Sequence, residues 1–160
     1  MASSTFSGPV TSTAGFISGS DSLVSVTADA TLTSAANAGR TMVLGVASGA
    51  TVTLPAASGT GNIYRFFVST TVTSNNYIIQ VANGDDTMAG VAIVANDSDN
   101  SASIFETAAT SDTITMNGTT TGGLLGATAE IQDVASNVFS VVLRGAATGS
   151  EATPFSAAVS

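Results

Sequence analysis

The side chains that most often carry chemistry are scarce in this sequence. Histidine and cysteine are absent, and the only cations are Arg40, Arg65 and Arg144. Without His or Cys there is no Ser–His or Cys–His pair to activate a nucleophile. Without lysine there is no Schiff base, no Ser–Lys pair, and no P-loop lysine to reach a phosphate. Zinc and the transition metals lose their usual ligands. The segment GVASG (45–49) places its serine one position late for a nucleophile elbow.

Carboxylates are the remaining source of acid and base. Asp85 with Asp86, or Glu106 with Asp112, could in principle form the pair that a glycosidase needs. Asp85 and Asp86 fall in the turn NGDD, where Asp is favoured for backbone reasons. Tryptophan is absent, and Tyr64 and Tyr77 are the two tyrosines, so flat aromatic surface for stacking a sugar is small. The loop NDSDNS (96–101) offers Asn96, Asp97, Asp99 and Asn100 as hard oxygen ligands. It lacks the Gly and the bidentate Glu of a calcium-binding EF-hand loop. The expectation is a solvated hairpin loop, no metal, no cofactor and no catalytic residue.

Charge narrows the partners. Eleven carboxylates against three arginines give a net charge of −8. Nucleic-acid binders neutralise phosphates with Lys and Arg, and anionic membranes are held the same way. Three scattered arginines suit neither, so neither partner is expected. No run of apolar residues is long enough for a membrane-spanning helix. The start, MASSTFSGPV, has no basic region followed by an apolar one, so a secretory leader is not expected.

The elements that must position these residues are strands. The chain has 160 residues, 44% apolar and 9% charged, and Ser and Thr fill 46 positions. That length suits one domain, and that composition suits pleated surfaces and turns rather than helices. Residues 24–33 alternate strictly, with Val24, Val26, Ala28, Ala30 and Leu32 on one side, as in a half-buried strand or a bent pair of strands. Short strands are expected at 40–46, 50–55, 62–71, 77–82, 88–95, 102–107 and 112–116. A last hairpin is expected from 127–134 and 137–145, turning at ASN. About ten short strands joined by turns predict an all-β domain, a jelly roll or β-sandwich, over residues 22–145. Residues 1–21 read as an N-terminal arm whose large apolar residues, Phe6, Phe16 and Ile17, are spaced as anchors, and residues 146–160 read as a C-terminal tail.

The stretch NIYRFFVSTT (62–71) is the most informative. As a strand it puts Tyr64, Phe66 and Val68 on one face and Ile63, Arg65 and Phe67 on the other. One sheet face can bury one set in its own core, so Phe67 is expected beneath an arm or at a subunit contact. Arg65 either lays its stem on apolar surface with its head in water, or pairs with a carboxylate across a subunit contact. Phe6, Phe16, Ile17, Arg65 and Phe67 are therefore the candidate partner-binding residues.

Three stretches carry a resemblance: GATVTLPAASGTGNIYRFFVSTTVTSNNYIIQVANGDDTMAG (49–90), FETAATSDTITMNGTTTGGLLGATAEIQDVASNVFSV (105–141) and ATGSEATPF (147–155). Together they resemble the small all-β capsid decoration, or head cement, proteins of tailed bacteriophages. The resemblance implies a non-enzymatic virion protein on the outer surface of the capsid. It implies the major capsid protein as partner, and often a homotrimer where capsomers meet. A tail- or fibre-associated β module for receptor binding is the alternative, and a bacterial surface adhesin domain a third.

Overall fold

The computed structural model describes residues 22–160. The arm residues Phe6, Phe16 and Ile17 lie outside the described residues. Alternation of apolar and polar positions folds the described chain into twelve strands and one helical turn. These are β1 (Leu23–Val26), β2 (Ala30–Thr31), α1 (Ser34–Asn37), β3 (Thr41–Leu44), β4 (Ala50–Thr53), β5 (Ile63–Val68) and β6 (Tyr77–Gln80). Then come β7 (Thr87–Ala95), β8 (Ala102–Glu106), β9 (Thr113–Met116), β10 (Thr128–Ala135), β11 (Val138–Ala146) and β12 (Phe155–Ser156). They form two sheets, one of seven strands in the order β1-β3-β5-β10-β11-β7-β8 and one of five in the order β12-β9-β6-β4-β2. The fold is an all-β sandwich, as the composition and alternation predict.

The first six strands alternate between the sheets. β1, β3 and β5 lie parallel in the large sheet, and β2, β4 and β6 lie parallel in the small one. The chain therefore winds three times around the core, one strand per sheet in each turn. Antiparallel β10 on β5 and β9 on β6 then close this coil. β7 returns parallel to β11 and carries β8 at its outer edge. Parallel ladders are absent from a purely antiparallel jelly roll, so the sandwich is the form the fold takes.

Two strands beyond the expected ten have identifiable origins. The alternating run 24–33 is the bent pair: β1 enters one sheet and β2 the other. At the bend the Asp29 carboxylate accepts from the Thr51 amide at 2.8 Å. The second addition is β12. Residues 146–160, expected as a tail, pack onto the body: Phe155 pairs with Ile114 of β9 and is 7% exposed. The Asp112 carboxylate fastens the last residues, accepting from the amides of Ala158 and Val159 at 2.8 and 3.3 Å. The helical turn α1 goes beyond the all-strand expectation. It is one turn long, capped by the Thr33 hydroxyl accepting from the Ala36 amide at 3.3 Å.

The core lies between the sheets. Tyr64, Phe66, Tyr77 and Phe139 are its largest fully buried side chains, packed with Met42, Leu44, Ile79, Ile114 and Ile131. Burying each is worth about 1.5–3 kcal/mol. Two close approaches demand glycine. A Cβ on Gly90 would sit 1.9 Å from the Val141 carbonyl oxygen across the β7–β11 ladder. At Gly118, φ is +78° and a Cβ would sit 1.9 Å from the Val72 carbonyl oxygen.

Candidate functional site: the outer face of the seven-stranded sheet

Period-two alternation sends every second side chain of the large sheet outward. On β5 the inward set is Tyr64, Phe66 and Val68, and the outward set is Ile63, Arg65 and Phe67. This is the division read from NIYRFFVSTT. Phe66 is 2% exposed in the core and Phe67 37% exposed outside it.

Strand register assembles the outward residues into rows. One row crosses the sheet as Ser25, Val43, Phe67, Thr128, Arg144, Ile93 and Ile104. The next runs Leu23, Thr41, Arg65, Glu130, Val142, Val91 and Glu106. Most large apolar residues that stay exposed belong to this face: Leu23 at 61%, Ile104 at 65%, Val134 at 47%, Ile93 at 38% and Phe67. A shallow groove of about 450 Å³ runs across it, lined among others by Leu23, Val43, Arg65, Phe67, Glu130 and Arg144. Half of the fourteen residues in these two rows are apolar, and that concentration makes the face the candidate interaction surface.

Arg65 pairs within its own chain. Its Nε donates to Glu130 Oε2 at 3.0 Å, directly across the β5–β10 ladder. Neither reading of Arg65 from the sequence includes this partner: register places a carboxylate on the neighbouring strand of the same chain. Both side chains are about half exposed, 43% and 50%, so the pair contributes about 0–1 kcal/mol. Its effect is to pin the Arg65 stem beside Phe67.

The face also differs electrically from the rest of the molecule. It carries Arg65 and Arg144 against Glu130 and Glu106, a net charge of zero. Among the described residues the excess of negative charge therefore lies elsewhere. Arg65–Glu130 is the ion pair among the described residues, so Arg144 and Glu106 are each without one there. The outer face of the small sheet is of another kind, presenting Thr31, Thr51, Thr53, Gln80 and Thr115 around Ile78.

The other sequence candidates take structural parts. The Asp86 carboxylate is buried and accepts from the Ala57 amide and the Asn83 amide group, both at 3.0 Å. Asp112 holds the C-terminal segment and is separated from Glu106 by the turn that leads from one sheet to the other. In the 96–101 loop, Asp99 Oδ1 accepts from the Ser101 amide at 2.9 Å and from its hydroxyl, and these bonds hold the Asp99 pKa below its ordinary value. Asn96 Oδ1 accepts from the Ser103 hydroxyl at 3.0 Å. Among the described residues, no three His, Cys, Asp or Glu side chains gather as they would to hold a metal ion. No helix among them is long and apolar enough to cross a membrane.

Sequence reasoning alone does not single out Arg144, Glu130, Leu23, Ile93 or Ile104. Arg144 reads as one of three scattered cations, yet the fold brings it to the same groove as Arg65. A signal for the face is present in MAGVAIVA and ASIFET, which carry apolar residues at both parities, so their second face is also apolar. No protein-family model matches the chain, and no curated protein or solved structure does.

Proposed function

We propose that this chain is a capsid decoration protein of a tailed bacteriophage. It binds the major capsid protein on the outside of the head and stabilises contacts between coat subunits, as a homotrimer. The observation that carries the reading is the broad, charge-balanced apolar face on a closed β body. Such a face suits the joining of copies into an oligomer, and a clamp on a pressurised head needs stiffness and several attachment points rather than a reaction. The phrases in 49–90, 105–141 and 147–155 that resemble head cement proteins support it. Multivalency supplies affinity, because a trimer engages equivalent coat sites together and each further contact forms at high effective concentration. The acidic surface away from the face keeps free subunits apart and soluble.

Cryo-electron microscopy of the parent particle tests this. A knob protruding from the head at threefold or pseudo-threefold positions, fitting the sandwich, is the expected result. Density confined to the tail would transfer the chain to the receptor-binding alternative. A deletion of residues 2–20 tests the arm. The twelve strands and the helical turn of the described residues lie within 23–156, so the body is expected to fold. Attachment to heads is expected to weaken, and unchanged decoration would remove the arm from the docking scheme.

A further inference from the structure

We infer that the outer face of the seven-stranded sheet is a self-association surface, and that its occupant is a second copy of this chain. The inference names the surface behind the proposed oligomer, but it rests on the face alone and holds wherever the assembly is seated.

Three observations converge on a copy rather than an unrelated protein. The first is charge. Two molecules at −8 repel one another over most approaches, with Arg40 and nine carboxylates spread over the remainder of each chain. On this face, as on the Thr- and Gln-dominated outer face of the small sheet, the described formal charges leave no net charge to oppose a like molecule, and of the two faces this is the apolar one. A basic partner would instead be drawn to the acidic remainder.

The second is complementarity. Arg65 and Glu130 satisfy each other, leaving one cation, Arg144, and one anion, Glu106, without an ion pair among the described residues. They stand on β11 and β8, two strands apart with β7 between. Each copy thus offers one spare charge of each sign on one apolar surface. Contacts between copies of a single chain need such self-complementarity, whether reciprocal in a dimer or passed round a ring. Ile93 lies between the two charged strands and Ile104 is on the same strand as Glu106, so a pair formed there is flanked by apolar contact.

The third is size. At ~4.8 Å between strands and ~3.4 Å per residue, a seven-stranded sheet with about six residues per strand covers roughly 600 Å² in projection. Side-chain relief brings the contact surface close to the ~800 Å² per partner of a standard stable interface. The outward face of the small sheet does not match it, being dominated by Thr and Gln.

The test is sedimentation of the full chain from about 1 to 100 μM, alongside variants on each face. The unsubstituted chain is expected to form dimers or trimers. Ile104→Glu and, separately, Phe67→Glu change outward side chains and are expected to keep the wild-type circular dichroism and, at dilutions where both are monomeric, the wild-type melt. Each is expected to weaken association about tenfold or more. Thr53→Glu on the small sheet is expected to leave the mass unchanged. Arg144→Glu is expected to weaken association, and adding Glu106→Arg to restore it, because the swap exchanges the two signs between copies. Rescue separates a contact between chains from a defect within one.

A chain that stays monomeric throughout this range overturns the proposal. So does an oligomer indifferent to Ile104→Glu, Phe67→Glu and Arg144→Glu. A monomer in which Phe67→Glu destabilises the full chain but not a chain lacking residues 2–20 also overturns it, and assigns the cover to residues 1–21 of the same chain.

Discussion

Replacing Asp133 with alanine should cost this protein about 3 kcal/mol at neutral pH, more than any other single polar change on the large sheet. Asp133 lies in β10 next to a bulge in the β10–β11 ladder and is 3% exposed. One carboxylate oxygen accepts from the amides of Ser58 and Gly59 at 3.0 and 2.6 Å. The other accepts from the amide and hydroxyl of Thr60 at 3.0 and 2.6 Å. The loop it gathers leads directly into β5 and so sets the position of Arg65 and Phe67. Hydrogen bonds to a charged group are each worth about 1.5–3 kcal/mol net. Ser58, Gly59 and Thr60 are exposed, so their freed donors can reach water, and about 1 kcal/mol for each of three backbone donors is the better estimate. For a domain of this size that is a fall in Tm of roughly 6–12 °C. Asp133→Asn should lose a similar amount, because its amide group turns a donor toward donors. The pH dependence comes from linkage. Burial on its own raises the Asp133 pKa, but the bonds from Thr60, Gly59 and Ser58 outweigh it and hold the group below the ordinary carboxylate value. Its stabilisation is therefore whole above the unfolded pKa of about 4 and is lost as pH falls through the lower folded value. Urea denaturation of wild type and variant between pH 7 and the acid limit measures this directly. The gap should be flat down to about pH 5 and close below about pH 4. A loss under about 1 kcal/mol, or a gap of constant size in acid, would refute the reasoning.

Asp112→Ala removes the acceptor for the Ala158 and Val159 amides; a loss of about 1–2 kcal/mol is expected, with faster carboxypeptidase trimming as the readout. Gly90→Ala forces a Cβ against the Val141 carbonyl oxygen, and the parallel β7–β11 ladder cannot yield without moving backbone. Thermal melts should show a loss of about 3 kcal/mol or more, while Ala89→Ser, facing outward on the same strand, should stay within about 0.5 kcal/mol. The double change Asp97→Asn with Asp99→Asn should leave stability within about 0.5 kcal/mol, because an amide oxygen can still accept from Ser101. Chelator should then have no effect on the wild-type melt, and a large chelator-induced drop would restore the cation reading of the loop.

How much of this fold is legible in the sequence depends on how local the cause is. Alternation is local, so NIYRFFVSTT sorts its residues onto two faces without help, and the hairpins at 96–101 and at ASN arise from their turn chemistry. The winding of β1 to β6 between two sheets is not local. Parallel neighbours such as Thr41 and Arg65 are separated by an intervening strand in the other sheet, and no sequence repeat marks the turns of the coil. The same non-locality hides the partner of Arg65, since Glu130 is fixed by β10 arriving antiparallel on β5. It also hides the place of Phe155, which alone in a small-residue segment looks like a stray aromatic until Ile114 stands opposite. The apolar face emerges at this level too. Leu23, Phe67, Ile93 and Ile104 are each unremarkable as single exposed residues, and Arg144 alone is an ordinary surface cation. Only register places them in two adjacent rows on one sheet, with the excess negative charge of the described residues outside it. A surface of this kind is a property of strand order, which is why substitutions chosen by row rather than by position in the chain are the ones that discriminate between occupants.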